Sequence, residues 1–234
     1  QLEIKKVLSP AKDKLDVLVD LLAHIGDQNG IVFCNFKDSI QRVSDFLTFK
    51  KIPHGIFYGG MEQVERERGL IKFRNGTHKI LLATDLAARG IDVPELDFIV
   101  HYHLPLRGEE FTHRNGRTAR MNSNGTAYVI QGKEEVLPDF IGDLPEEVLE
   151  KKLLPKASEW GTLFISGGRK DKISKGDIAG LFLKQGGLNK EELGVIELKT
   201  DCAFVSVKTK KIKSLLPKVN NVRLKKKKVR VTEI

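Results

Sequence analysis

Through the first two thirds of the chain, apolar and polar positions switch between two periods. Leu15, Leu18, Val19, Leu22 and Ile25 recur at helical spacing and predict an amphipathic helix over 12–25. Gly30 reads as its stop, and Ile31-Val-Phe-Cys-Asn35 predicts a short buried strand. The same reading gives helices over 38–51 and 63–73. It gives strands over 54–58 (broken by Gly59-Gly60), 79–84, 98–102 and 126–130. Strands alternating with helices predict an α/β fold: one parallel sheet covered on both faces, with right-handed crossovers. Pro138, Pro145 and Pro155 punctuate the next stretch, read as a linker with a short helix over 146–154.

Beyond about residue 155 the pattern changes. A strand is predicted over 162–166 and a basic turn over 167–172. A helix follows over 174–185, N-capped by Ser174. Two strands over 193–198 and 201–207, a helix over 210–219 and a last strand over 228–234 complete a βαββαβ order. That order describes a small α+β sandwich. The expected domains are therefore 1–155 and 156–234.

Charge sharpens the division. Residues 1–155 carry 21 Lys/Arg and 23 Asp/Glu, a net of −2, whereas residues 156–234 carry 19 and 8, a net of +11. Lys and Arg at that density suit a polyanion, because they neutralise phosphates and release counterions. No apolar run approaches the ~20 residues of a membrane helix, so no membrane partner is expected. The chain begins with Gln1 and shows no signal peptide, and is read as a cut from a longer cytoplasmic protein. Cys34 and Cys202 each lie in an apolar run and are expected as buried thiols without a disulfide framework.

Two segments carry candidate chemistry. Ala83-Thr-Asp-Leu-Ala-Ala-Arg-Gly-Ile-Asp92 follows directly on a strand, where open α/β sheets bind ligands. Gly90 and the small residues allow close approach of a phosphate, and Asp92 can accept hydrogen bonds from a ribose. In His113-Arg-Asn-Gly-Arg-Thr-Ala-Arg120, arginines 114, 117 and 120 share one face if the run is helical, or else form a solvated basic helix start. Guanidinium groups bind phosphate oxygens in forked, charge-assisted pairs. His101 and His103 find no completing ligand set for a metal, so none is expected. Phe36 and Phe57 are read as core or domain-interface residues.

Taken together, these segments resemble the DEAD-box RNA helicases over residues 1 to about 150. Ile31-Val-Phe-Cys-Asn-Phe-Lys37 looks like motif IV, and Gln63-Val-Glu-Arg66 like the QxxR motif, with Phe73-Arg-Asn-Gly76 behind it. Ala83–Asp92 looks like motif V and His113–Arg120 like motif VI. The resemblance implies a second RecA-like domain. By it, Thr84 and Gly90 contact the RNA backbone and Asp92 the ATP ribose. Arg117 and Arg120 reach the γ-phosphate, with Arg120 as arginine finger, and His113 couples to the other motor domain. Motif VI departs from its commonest form at Asn115, where Ile is usual, and at Ala119, where Gly is usual. No G-x-x-x-x-G-K-[ST] phosphate loop and no Asp-Glu-Ala-Asp box occur. The family carries these on its first RecA-like domain, with the ligands for ATP and Mg²⁺, so this chain alone is expected to be inactive.

The basic half resembles an RNA recognition motif, in which sheet aromatics stack on bases. Phe164 and Phe204 are the candidate platform, with Thr200, Asp201 and Cys202 departing from the usual signature. Arg169, Lys170, Lys172, Lys210, Lys211, Lys213, Lys225, Lys226, Lys227, Lys228 and Arg230 are candidate phosphate contacts. Trp160–Lys172 and Gly176-Asp-Ile178 are similar to the bacterial DbpA/YxiN-like subfamily. That likeness implies a hairpin of large-subunit ribosomal RNA as target, and ribosome assembly as setting. Two other readings stay open: a non-enzymatic RNA-binding adaptor with a motor-like scaffold, and a DNA helicase or repair factor with a related motor domain.

Overall fold

The computed structural model describes residues 1–121 and 123–234. They form two compact units, residues 1–73 with 78–157 and residues 74–77 with 158–234.

In the first unit, chain order runs β1 (Leu2–Leu8), α1 (Leu15–Ile25), β2 (Gly30–Phe33), α2 (Lys37–Phe49), β3 (Gly55–Phe57) and α3 (Gln63–Arg74). It continues with β4 (Ile80–Ala83), α4 (Asp85–Ala88), β5 (Phe98–His101), α5 (Gly108–Asn115) and β6 (Gly125–Gln131). Six parallel strands lie in the order β1-β6-β5-β2-β4-β3. The inner strands β2, β4 and β5 are short and buried at every position because both faces are covered. Val32, Leu82 and Val100 pack with Leu18, Leu22, Ile40 and Leu47 of α1 and α2. Their neighbours Ile31, Phe33, Leu81 and Ile99 pack on the opposite face with Phe73, Ala87 and Leu96. Each such fully buried side chain contributes roughly 2 kcal/mol of transfer free energy.

Three expectations for this unit are corrected. Strand β1 is absent from the periodicity reading because, of its residues, only Val7 is buried; pairing with β6 makes it a strand. Gly30 opens β2 rather than stopping α1, and its N–H donates to the Lys79 carbonyl (2.9 Å). The helix expected over 146–154 is instead an extended strap. The Lys6 N–H donates to Pro145 (2.9 Å), the Glu147 N–H donates to Lys6 (2.8 Å), and Glu147 pairs with Lys5 at 2.7 Å. His24 Nδ1 accepts the Glu150 N–H (2.9 Å), so its Nε2–H donates to Glu147 (3.2 Å). These tertiary bonds satisfy the backbone that a helix would have satisfied locally.

The second unit contains β7 (Trp160–Ile165), α6 (Lys175–Gly180), β8 (Leu193–Leu198), β9 (Ala203–Lys208), α7 (Thr209–Val219), β10 (Val222–Leu224), β11 (Lys227–Val229) and β12 (Val231–Glu233). An antiparallel sheet, β12-β7-β9-β8, packs Leu163, Ile165, Val205 and Val207 against Ile178, Phe182, Ile212 and Leu215. The helix expected over 174–185 is shorter: α6 ends at Gly180 and a π turn, Leu181–Gln185, carries the chain on. The single strand expected over 228–234 is two. Lys227–Val229 folds back on Val222–Leu224 as a hairpin, and Val231–Glu233 joins β7. Cys202 is half-buried rather than core, because it sits in the turn before β9.

Ser174 is the N-cap of α6. Its hydroxyl accepts the Asp177 N–H (3.1 Å), and the Asp177 carboxylate accepts the Ser174 N–H (2.9 Å). Ser174→Ala is expected to lower unfolding free energy by about 1 kcal/mol, read from a denaturant titration at unchanged slope.

Candidate functional site

The strand order places β2 between β4 and β5. The chain leaves β2 toward one half of the sheet and enters the other half through β5. A crevice therefore opens beyond the carboxyl ends of these strands, and one buried side chain organises it. Arg114, in the last turn of α5, is 1% exposed. Its Nε and Nη2 grip both oxygens of Asp85, each at 2.7 Å. Nη2 also donates to Asn35 Oδ1 (2.7 Å), and Nη1 to the His103 carbonyl (2.9 Å) and His101 Nδ1 (3.4 Å). All five guanidinium hydrogens thus have acceptors, drawn from the ends of β2, β4 and β5.

The guanidinium also fixes a histidine tautomer. Arg114 can only donate, so His101 Nδ1 accepts and Nε2–H donates to Asn115 Oδ1 at 2.7 Å. Complete burial, reinforced by the Arg114 charge, pushes the His101 pKa down to about 3. His103 is lowered to about 4, first by burial and then by the Lys14 and Arg114 charges. Its Nδ1 accepts the Asn35 N–H (2.9 Å). These rings hold the protein framework, and Asn115 is the polar partner that a buried neutral histidine requires. Cys34 is buried, and burial lifts its thiol to about 12.

The three motif VI arginines do not share a face. Helix α5 stops at Asn115, and Ala119 takes a left-handed backbone, φ +55°. Arg117 donates to the carbonyls of Ala88 (2.7 Å) and Ile91 (3.4 Å). Burial and the neighbouring Arg120 charge lower its pKa. Arg120 is exposed, and its Nε donates to Gly116 (3.0 Å). His113 is exposed on α5 and lines a small recess with Glu110, Arg114 and Arg117. The Leu96 carbonyl accepts from the Thr118 hydroxyl, which ties this segment to the chain that follows α4.

Thr84 is the N-cap residue of α4 and is half-buried. Exposed Gly90 (φ +69°) and Asp92 follow in the loop. Thr84 lines a cleft of about 470 Å³ with Asn35, Phe36, Lys37, Tyr58 and Arg89. Phe57 is core at 1% exposure, but Phe36 is 63% exposed at the lip of this cleft. Its position between β2 and α2 carries it out of the core.

In the second unit the sheet register gathers one group of cations. Ile165 of β7 pairs with Ala203 and Val231, and Leu198 pairs with Ala203. The segments 166–172, 199–202 and 225–230 therefore lie at one end of the sheet. A Cβ on Gly168 would stand 2.4–2.6 Å from the backbone of residues 199–202, so only glycine lets these turns meet. Arg169 donates to the Leu198 carbonyl (2.7 Å), Lys170 pairs with Asp201 (3.1 Å), Lys225 with Asp177 (3.5 Å) and Lys227 with Asp171 (3.8 Å). Arg169, Lys170, Lys172, Lys225, Lys226, Lys228 and Arg230 are exposed there. Lys210, Lys211 and Lys213 follow the opposite end of β9, where Lys208 pairs with Trp160. Phe164 and Phe204 pair across strands with ring centroids 5.7 Å apart; Phe164 is half-buried and Phe204 is 3% exposed.

Residues 13–122 match the helicase conserved C-terminal domain, and residues 162–233 match the DbpA RNA binding domain. Among solved structures, the Escherichia coli DEAD-box protein SrmB, bound to the regulator of ribonuclease activity A, superposes at a TM-score of 0.56. It is 26% identical and covers 67% of this chain and 98% of its own. Saccharomyces cerevisiae Dbp5 bound to RNA and ADP BeF3 gives 0.53 at 26% identity over 65% of this chain and 41% of its own. The chain belongs to the DEAD-box helicase family. Within it, the succession of the two domains is of the DbpA type. The ATP-dependent RNA helicase DbpA of E. coli strain K12 is 33% identical over 85% of this chain and 45% of its own length. The Bacillus subtilis strain 168 protein of that name is 28% identical over 95% and 53%. The chain thus spans about half the length of these relatives. Among the described residues no helix is long and apolar enough to cross a membrane.

Arg114→Lys keeps the charge but loses the fork. It is expected to destabilise the first unit by about 1–3 kcal/mol, since one ammonium cannot serve Asp85, Asn35, His101 and the His103 carbonyl together and leaves buried acceptors unpaired. Chemical denaturation followed by circular dichroism measures this. The buried neutral histidines also give a pH signature. Their folded pKa values lie below the ordinary 6.5, so the unfolded chain binds more protons. Stability is full above pH ~6.5 and falls toward pH ~4, by on the order of 1 kcal/mol per pH unit for each histidine. His101→Asn is expected to flatten part of that slope in melts across pH.

Proposed function

We propose that the chain supplies the second motor domain (1–155) and the RNA-targeting domain (156–234) of an ATP-dependent RNA helicase. The observation that carries this reading is the pair Arg117 and Arg120. Their guanidinium groups are held by backbone carbonyls of residues 88, 91 and 116, and burial, with the Arg120 charge second to it, lowers the pKa of Arg117. Two adjacent cations anchored by carbonyls keep their charge for an outside anion. A γ-phosphate fits that requirement, with Arg120, the more exposed, as the arginine finger.

In the complete protein, ATP and RNA draw the first RecA-like domain onto this one. Asp92 accepts hydrogen bonds from the ribose, and exposed His113 meets the other motor domain. Among the described residues no three His, Cys, Asp or Glu side chains converge. By the resemblance to the family, the Mg²⁺ ligands belong to the first domain, where the ion would neutralise charge on the nucleotide phosphates. Thr84 and the backbone at Gly90 hold the RNA sugar-phosphate chain, and closure bends one strand away from its partner. The RNA and ADP BeF3 bound to Dbp5 support both ligands for this domain type.

The second unit is proposed to grip structured RNA, a large-subunit ribosomal RNA hairpin, and so to direct the motor to ribosome assembly in the cytoplasm. Arg169, Lys170, Lys172, Lys225, Lys226, Lys227, Lys228 and Arg230 would hold phosphates, with Phe164 supplying the accessible ring; Phe204 serves by packing against it. The test is equilibrium binding of the full chain to a hairpin from the peptidyl-transferase region and to a scrambled hairpin across a salt series. At least about tenfold preference, roughly 1.4 kcal/mol, that persists at high salt is expected. Equal binding that collapses with salt would reduce the second unit to an electrostatic anchor. Replacing Lys225–Lys228 by Ala is expected to weaken both RNAs and lower the salt slope.

A further inference from the structure

Helix α2 begins without the residue its N-terminus calls for. Ser, Thr, Asp or Asn at the N-cap would accept a first-turn N–H. Phe36 stands there instead, extended at φ −133° and ψ 147°, and its side chain caps nothing. Only its carbonyl serves the helix, accepting from Ser39 (3.1 Å) and Ile40 (3.2 Å). The ring does not enter the core either, being 63% exposed, with His103 6.5 Å away between centroids. Exposure alone would mean nothing, but this ring lines the cleft of about 470 Å³ together with Lys37, Tyr58, Thr84 and Arg89, so an open aromatic face is presented to whatever occupies that cleft.

The charge around it says what kind of thing. The two carboxylates lining the cleft are satisfied internally: Asp85 by Arg114, and Glu110 by the Leu106 N–H (3.1 Å) and Arg107 (3.2 Å). Lys37 and Arg89 then set the sign of the cleft, and it is positive. Lys37 lies 5.7 Å over the Tyr58 ring, a second aromatic in the same wall. Cations that track a backbone, beside a ring with an open face, are the physical requirements of single-stranded nucleic acid.

We propose that Phe36 stacks on a base of the single-stranded RNA held in this cleft, adding a base contact to a track that otherwise touches phosphate and sugar. The proposal rests on the reading of the cleft as the RNA path, and the experiment separates the two. The full chain is irradiated with ultraviolet light in the presence of excess oligouridine, and crosslinked residues are mapped by mass spectrometry. Binding of oligouridine and of an abasic oligonucleotide of equal length is measured alongside, with Phe36→Ala and Phe36→Trp compared with the parent. The expected result is a crosslink at Phe36, lost in Phe36→Ala and kept in Phe36→Trp, while those at Lys37 or Tyr58 persist. Phe36→Ala also weakens oligouridine by about tenfold and leaves the abasic strand unchanged. Crosslinks elsewhere in the cleft without one at Phe36, or equal weakening of both strands, overturn the stacking and leave the RNA path standing. Absence of any crosslink in the cleft overturns both.

Discussion

Five hydrogens on one buried guanidinium set the geometry of the first unit. Arg114 reaches Asn35 beyond β2, Asp85 beyond β4, and His101 and His103 at the end of β5. A cation removed from water survives only where each donor finds an acceptor and a counter-charge is held close. Satisfying that condition pulls three strand ends into one arrangement. It also fixes the loops that carry Thr84, Lys37 and Arg117. The His101–Asn115 pair is a consequence: once Arg114 donates to Nδ1, the other ring nitrogen must carry the proton and find an oxygen.

This constraint separates the motif VI arginines by role. Arg114 has no hydrogen left for a ligand, whereas Arg117 and Arg120 are tethered to the fold through backbone carbonyls and, in the proposed function, face the γ-phosphate. The separation follows from where α5 ends. One more turn of helix would have aligned all three; instead Ala119 adopts φ +55°, a conformation that costs a non-glycine residue about 1–2 kcal/mol. The strain turns the chain so that Thr118 bonds back to Leu96 and Arg120 points outward.

Much of this was legible in the sequence, for identifiable reasons. Strands buried on both faces announce themselves as apolar runs, so β2, β4, β5 and β6 were found within a residue or two. Ser174 and Asp177 carried a local capping signal, which located the start of α6 though not its early end. Tertiary effects were hidden. Strand β1 has one buried residue and exists by pairing with β6. The 146–154 strap follows bonds to Lys6 and His24, which no local pattern encodes. At the crevice, the motifs pointed to the loops after β4 and α5 but not to the contacts made there. Asn35, Asp85 and His101 are distant in sequence from Arg114, so their shared role emerges only from the sheet order. In the basic half, charge density gave the chemistry, and the antiparallel register then sorted the lysines into a gathered set and a separate one on α7.

The most direct test of the motor assignment is to join this chain to the first RecA-like domain of a DbpA-type relative and measure RNA-stimulated ATP hydrolysis. The account predicts turnover that depends on RNA. It predicts a fall of about a thousandfold or more in Arg120→Ala, with RNA binding and melting temperature unchanged. A folded, RNA-binding fusion that hydrolyses no ATP, or one indifferent to Arg120, would contradict it and favour a non-enzymatic adaptor.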